Sequence, residues 1–412
     1  MTTEVNTPLA KLILELTTDA CVASRTLADQ DTKTKNGILL EIANTLDSKT
    51  TRHHLLKANE KDLGAAQDKG IVGAMLDRLT LDDKLINSMI QGLEDVAKLP
   101  DPVGVVRKSW TRPNGLQVAK QTIPIGVVGI IYEARPNVTI DVSALAIKTG
   151  NVALLRGGSE TIHSNRALVG VVQRALQQAN LPQSVVQFID DSNRKYVADL
   201  LQLHDYVEMI IPRGGNALHS FCRENSSIPV ITGGIGVCHL YVDASADLTA
   251  ALPVIENAKV QRPSVCNALD TLLINSLVAD ELLPRLVSQL GGLGVNFRAE
   301  PRAMRVLQND DSVSSKAGVT APGPDDFDTK CLSLVLGLKV VDNLDEAIGH
   351  IGTRSTAHSD GILTETEVHA QRFVDEVDSA AVYVNASTRF TDGAQFGLGA
   401  EVAISTQRLH AR

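Results

Sequence analysis

Cys266 lies in NAKVQRPSVCNALD (Asn257–Asp270), after a helical stretch at Leu252–Ala258 and a proline-broken turn, and before an apolar run that opens at Leu269. A thiol on a turn that leads into a strand can face a cleft. Lys259 and Arg262 stand close in sequence and favour the thiolate, which is the nucleophilic form. The chemistry this would support is attack on an electrophilic carbonyl carbon. A small buried apolar thiol is the competing reading, and it fits Cys21, Cys222, Cys238 and Cys331. For Cys266 the local sequence leaves both open.

Glycine clusters mark a second kind of chemistry. Arg156, Gly157, Gly158, Ser159 and Glu160 follow an apolar run and open a helical stretch, a geometry in which backbone amides and an arginine hold a phosphate. Arg213, Gly214 and Gly215 repeat the arrangement further on. Neither cluster is a GxGxxG fingerprint, and a plain strand-to-helix turn explains either one alone. Two such turns in one sheet point to a dinucleotide crevice. TGGIGVC (Thr232–Cys238) reads equally as a close approach to ligand or as a simple turn.

Charged and amide groups recur in two further places. YEARPNVT (Tyr132–Thr139) sets Glu133, Arg135 and Asn137 directly after an apolar run. The segment Asn385–Glu401 is dense in Gly, Ser, Thr and charge, and its Arg389, Asp392 and Glu401 suit a zwitterionic substrate, Arg–carboxylate contact being bidentate. Solvated loops are the competing account of both. The ten histidines show no HExxH or other ligand spacing, so no metal site is expected.

The elements that would position these groups alternate. Helical spacing runs through Leu9, Leu12, Ile13, Leu16 and Ala20, through Leu39, Ile42, Ala43 and Leu46, and over Asp82–Lys98 before Pro100. From Leu116 onward, buried-strand runs at Gly126–Tyr132, Val152–Leu155, Val185–Ile189, Val207–Ile211 and Ile228–Ile231 interleave with helices at Thr139–Lys148, Glu160–Ala179, Asn193–Leu201 and Asn216–Arg223. The second half repeats the pattern. Strands are expected at Leu269–Ile274, Leu338–Val341, Gly361–Thr364 and Ala381–Val384, with helices at Ala279–Leu290, Leu344–His350 and Thr366–Val374. Asp311–Asp328 reads as a loop. Such alternation predicts an α/β protein with doubly wound parallel sheets.

Composition agrees. At 412 residues the chain exceeds the size at which one core usually stops growing, so two or more domains are expected. Hydrophobic residues at 43% and charged residues at 21% exclude global disorder. Aromatics at 3% leave a core of Leu, Ile, Val and Ala, suited to helices on a parallel sheet. A net charge of −9 without one-sign runs gives no general basis for binding nucleic acid or membrane. Five scattered cysteines without CxxC point to a reducing, cytoplasmic setting, and no secretory signal pattern precedes Leu9.

Several long blocks resemble the γ-glutamyl phosphate reductase branch of the aldehyde dehydrogenase superfamily. They are IPIGVVGIIYEARPNVT, KTGNVALLRGGSE, IIPRGGNALH, IPVITGGIGVCHLYVD, NAKVQRPSVCN and the stretch from Gln371 to Arg412, in the family's order. The resemblance implies an aldehyde dehydrogenase-like fold of two doubly wound parallel-sheet domains and a small β oligomerisation arm. It assigns 1–104 and 124–255 to cofactor binding, 256–380 to catalysis, and 105–123 with 381–412 to the arm and a substrate loop. It also implies NADPH as cofactor, no metal, and L-glutamyl 5-phosphate as substrate in the second step of proline biosynthesis. A homo-oligomer (dimer or tetramer) and a complex with glutamate 5-kinase are the partners it suggests.

Residue by residue, the resemblance makes Cys266 the nucleophile and puts Asn137 and Arg135 in the region of oxyanion and substrate contacts. Arg156–Glu160 and Arg213–Gly215 occupy the segments that face the cofactor in the superfamily. Oxidising relatives carry a glutamate before their glycine pair to activate water; here Thr232 precedes Gly233–Gly234. Before the Leu338–Val341 strand, where relatives carry Glu and an aromatic, this chain has Lys330 and Cys331. Relatives continue past the equivalent of Arg412 with a glycine-rich segment and a strand joining the arm. Two alternatives remain: NAD-dependent oxidation of a free aldehyde, and a catalytically silent homologue acting as a binding module.

Overall fold

A computed structural model describes residues 8–191, 193–233, 235–309 and 318–408, the side chains of 8–12 and 74 excepted. The chain forms two compact units, Met1–Thr232 and Gly233–Arg412.

The first unit opens with three long helices, Pro8–Ala28, Thr32–Asp47 and Lys49–Asp68, and a fourth at Asp83–Lys98. Asp31, Ser48 and Asp82 begin three of them by accepting the amide three residues on, at 2.7, 3.2 and 2.7 Å. Each helix buries one stripe: Ile13, Ala20, Ala23 and Leu27 on the first, Ile38, Leu39, Ile42 and Leu46 on the second.

An exposed antiparallel ribbon follows, β1 (Val106–Thr111) with β2 (Gln117–Gln121). The core of the unit is a parallel sheet of β3 (Val127–Tyr132), β4 (Val152–Arg156), β5 (Val186–Phe188) and β6 (Met209–Arg213), ordered β5-β4-β3-β6. All residues of β3 and β4 are buried, as the continuous apolar runs predicted. Ile228–Ile231 is not a strand of this sheet. It makes a single bridge, Ile210 to Val230, because Pro229 has no N–H with which to continue a ladder. The helix expected over Glu160–Ala179 is a 3₁₀ turn, Ser159–Thr161, followed by the helix Ile162–Gln178.

The second unit is built on seven parallel strands: β7 (Cys238–Val242), β8 (Leu269–Asn275), β9 (Asn296–Ala299), β10 (Val319–Thr320), β11 (Val335–Val341), β12 (Ser359–Leu363) and β13 (Ala381–Val384). Their order is β10-β9-β11-β8-β7-β12-β13. Helices Leu248–Val260, Ser276–Gly292, Pro301–Gln308, Leu344–Arg354 and Glu367–Glu376 connect them. A core of Leu240, Val242, Ile255, Leu272, Ile274, Leu282, Leu286, Phe297 and Leu338 is aliphatic but for one ring. Of the loop expected over Asp311–Asp328, residues up to 317 lie outside the described ones; beyond them β10 pairs with β9, and turns follow. Gly234 and Leu409–Arg412 also lie outside the described residues.

Candidate active site

In the first unit the strand order reverses direction across β3, so the carboxyl ends of β4, β3 and β6 form the edge where such sheets bind ligands. Register sets Ile131 beside Arg156 and Tyr132 beside Arg213. The residues after each strand, Glu133–Asn137, Gly157–Glu160 and Gly214–Gly215, therefore share that edge. Glu133 ties two of them: its N–H donates to Arg213 O at 3.0 Å and its carboxylate accepts from Gly215 N at 3.1 Å. Ala134 adopts φ +48, turning the chain sharply after β3.

Beneath the edge runs a buried polar chain. Tyr132 Oη pairs with Thr139 Oγ1 at 2.7 Å, Thr139 donates to Asn165 Oδ1 at 3.1 Å, and Asn165 donates to Thr161 Oγ1 at 3.0 Å. A Cβ at Gly157 would strike Asn165 and Tyr132, so only glycine fits between this chain and β4. Over Gly215 the space is open, and this glycine is the N-cap of the helix Asn216–Asn225, which it gives no side-chain cap bond. The helix Ile162–Gln178 differs. Its first amides already donate to Asp62, His163 N at 3.1 Å and Ser164 N at 2.8 Å, with Ser164 Oγ at 2.7 Å.

Arg156 is buried, and burial pulls its guanidinium below the ordinary value against the opposing pull of Glu160. Arg135 is exposed. Asn137 is half-buried and donates to Asp141 Oδ2 at 2.8 Å.

In the second unit Cys266 is exposed, on the turn between the helix Leu248–Val260 and β8. Arg389, in the 3₁₀ turn Thr388–Phe390, lies within electrostatic reach of Cys266; burial lowers its guanidinium, and the thiolate and Asp392 act the other way. Arg389 also donates to Gln261 Oε1 at 3.1 Å and to Asn267 Oδ1. Asn267, buried, donates to Thr391 O at 2.9 Å, and Thr388 Oγ1 donates to Asn267 O at 2.7 Å. These contacts dock the thiol's turn onto the 388–391 segment. Sequence reasoning singled out neither Asn267 nor Thr388. The only signal was an amide side chain directly after the cysteine.

Asp392 accepts from Ala394 N at 2.9 Å and Gln395 N at 3.2 Å, shaping the loop that follows. Glu401 is exposed and returns over Gly393, where a Cβ would meet its side chain. Tyr383, bonded to Thr391 Oγ1 at 2.6 Å, is pushed up to about 12 by burial, with Glu401 adding to the shift. The structure thus gathers the expected residues into two groups: Arg135, Asn137, Arg156–Glu160 and Arg213–Gly215 on one sheet edge, and Cys266, Arg389, Asp392 and Glu401 in the second unit. Among the described residues no cluster of three metal-ligating side chains occurs, and no helix is long and apolar enough to cross a membrane.

Two parallel-sheet units, the second with a surface thiol on the turn before a central strand, make this an aldehyde dehydrogenase-like α/β protein. Consistently, the model of the aldehyde dehydrogenase family matches residues 5–304. Relatives narrow this. Proteins named γ-glutamyl phosphate reductase from Yersinia pseudotuberculosis and Serratia proteamaculans are each 52% identical over 95% of this chain, covering 91% and 92% of their own lengths. The crystal structure of γ-glutamyl phosphate reductase from Thermotoga maritima superposes with a TM-score of 0.92 at 46% identity, over 97% of this chain and 94% of that one. The chain belongs to the γ-glutamyl phosphate reductases of the aldehyde dehydrogenase family.

Proposed function

We propose that this enzyme reduces L-glutamyl 5-phosphate to L-glutamate 5-semialdehyde and phosphate with NADPH, through a thioester on Cys266, as the second step of proline biosynthesis from glutamate. The observation that carries the reading is an exposed thiol on a turn beside Arg389. A neighbouring guanidinium favours the thiolate.

The Cys266 thiolate attacks the acyl carbon, the C–O bond to phosphate breaks, and a thioester remains. Amides of the turn and Asn137 are the candidate donors to the developing oxyanion. When bound, NADPH supplies the hydride that reduces the thioester carbon. Collapse of the resulting thiohemiacetal releases aldehyde and restores the thiolate. Arg389, Asp392, Glu401 and Arg135 are assigned to the substrate's carboxylate and ammonium.

The residues fit a dinucleotide. The glycine-capped helix and the open face over Gly215 suit a phosphate that would displace the Glu133 carboxylate from the Gly215 amide, with Arg213 close by in sequence. Arg156 and the 157–160 turn suit a further cofactor phosphate or ribose, with the arginine rather than the Asp62-filled helix end supplying the charge. Thr232 in place of a carboxylate supports a thioester kept from activated water. The exposed ribbon Val106–Gln121 is assigned to homo-oligomer formation, the range 256–380 to catalysis and the cytoplasm to location. Association with glutamate 5-kinase would shelter an acyl phosphate from hydrolysis.

The test runs the reaction in reverse. Purified protein should oxidise glutamate semialdehyde with NADP only when phosphate is present, and Cys266→Ala should abolish turnover while NADPH binding persists. Oxidation without phosphate would favour a hydrolytic aldehyde dehydrogenase. No turnover under any of these conditions would favour a silent homologue.

A further inference from the structure

Every backbone carbonyl of the four residues that begin at the thiol accepts a hydrogen bond from a side chain of a different segment. Cys266 O takes the Cys238 thiol at 3.3 Å, and Asn267 O takes Thr388 Oγ1 at 2.7 Å. Ala268 O takes Lys330 Nζ at 2.5 Å, and Leu269 O takes Lys259 Nζ at 2.8 Å. Two of the four donors are ammonium groups with almost no exposed surface. The Lys330 side chain is 3% exposed and Lys259 is 0%.

Burying two ammoniums under a surface turn is costly unless they are paired. Asp270, 1% exposed, supplies one carboxylate: Lys330 Nζ lies 2.8 Å from Oδ2, and the amides of Cys238 and Cys331 donate to it at 3.2 and 3.3 Å. The cluster therefore holds two ammoniums against one carboxylate. Burial pulls Lys259 down to about 8, with Asp270 opposing and the Lys330 charge adding to the fall. No other buried segment of the second unit spends two lysines on consecutive carbonyls among the described residues.

We propose that Lys330 and Lys259 are positioning residues for the thiol: by occupying the carbonyls of Ala268 and Leu269 they fix the turn and turn its negative dipole ends away from the thiolate. A carbonyl engaged by a cation presents less negative potential to a neighbouring anion, and the excess positive charge acts in the same direction. The inference rests on Cys266 being the nucleophile. Other groups set around the turn are Arg262 on its own segment, Asp270 on β8, Cys238 on β7, Cys331 before β11, His358 and Asp360 on or beside β12, and Arg389 and Asp392 from the 388–392 segment. The Lys330 and Lys259 substitutions leave all of these in place.

The experiment measures the pH dependence of Cys266 alkylation by iodoacetamide, quantified on the tryptic peptide, together with kcat and KM. Lys330→Met should move the alkylation midpoint up by about one unit, slow alkylation at pH 7 roughly tenfold and lower kcat, with KM for NADP unchanged. Lys259→Met should act in the same direction, and Lys330→Arg should restore the wild-type profile. Lys330→Met strands a buried carboxylate, so the Asp270→Asn/Lys330→Met pair removes both charges as a foldable control. It should still alkylate roughly threefold more slowly, and amide exchange at the turn should quicken. Wild-type alkylation in the pair, with turnover still abolished by Cys266→Ala, would overturn the positioning role and leave the nucleophile in place. Turnover by Cys266→Ala would overturn both.

Discussion

Acid should loosen the second unit through one buried ring, and replacing His358 by Asn measures how much. His358 is 1% exposed, with Nδ1 2.7 Å from Ser359 Oγ, which bonds Thr391 Oγ1 at 2.7 Å. Burial, with Lys330 adding to it, holds the imidazole down to about 4 from an ordinary 6.5. The unfolded chain therefore takes up a proton below about pH 6.5, while the folded chain waits until about pH 4. In that window the unfolded state binds more protons, so stability is present above it and lost as pH falls through it. A gap of about 2.5 units corresponds to about 3 kcal/mol in all, of which about 2 kcal/mol is gone by pH 5. His350, held down to about 3 by burial, adds its own loss in the same direction and is present in both proteins.

Asn sets an amide where Nδ1 was, so the bond to Ser359 survives, but it does not titrate. The variant will start lower at neutral pH because ring volume is lost. Its decline from about pH 7.5 to about pH 5 should nevertheless be smaller by about 2 kcal/mol, or roughly 4–8 °C in Tm for a unit of this length. Scanning calorimetry across that range reads both slopes. Parallel Tm–pH lines for the two proteins would refute the reasoning, because they would mean that His358 is protonated in the folded state as readily as in the unfolded one.

Two further outcomes follow from the packing. Asn267→Ala removes the donor to Thr391 O and the partner of Arg389, leaving buried polar groups unsatisfied, so it should cost about 1–3 kcal/mol and lower kcat without weakening NADPH binding. An unchanged kcat would show that the turn does not need its dock. Asp62→Ala strips the acceptor from His163 N, Ser164 N and Ser164 Oγ and should cost about 1–2 kcal/mol, read as a drop in Tm. If the Tm stays put, another acceptor serves that helix end.

What could be read in the sequence follows the range over which each signal acts. Gly126–Tyr132 and Val152–Leu155 declared themselves because a strand buried on both faces is apolar throughout, a property of adjacent residues. Ile228–Ile231 has the same texture, and a single proline decides against it. β7 escaped notice because His239 interrupts its apolar run. The ring is buried with Nδ1 3.0 Å from Asp360 Oδ1, and that partner lies far along the chain on β12. The helix Pro301–Gln308 was not expected, although its start is set locally, with Glu300 accepting from the Arg302 and Ala303 amides and a proline in its first turn.

Lys330 is the sharper case. In a run of loop residues a lysine reads as solvated. Its side chain instead lies against Asp270, 60 positions away, beneath the cysteine's turn. Neither residue is apolar and no spacing rule links them, so the pair exists only once β8 and the segment before β11 are folded side by side. A nucleophile can be found from its neighbours in sequence, whereas the groups that hold it in place are brought to it by the fold.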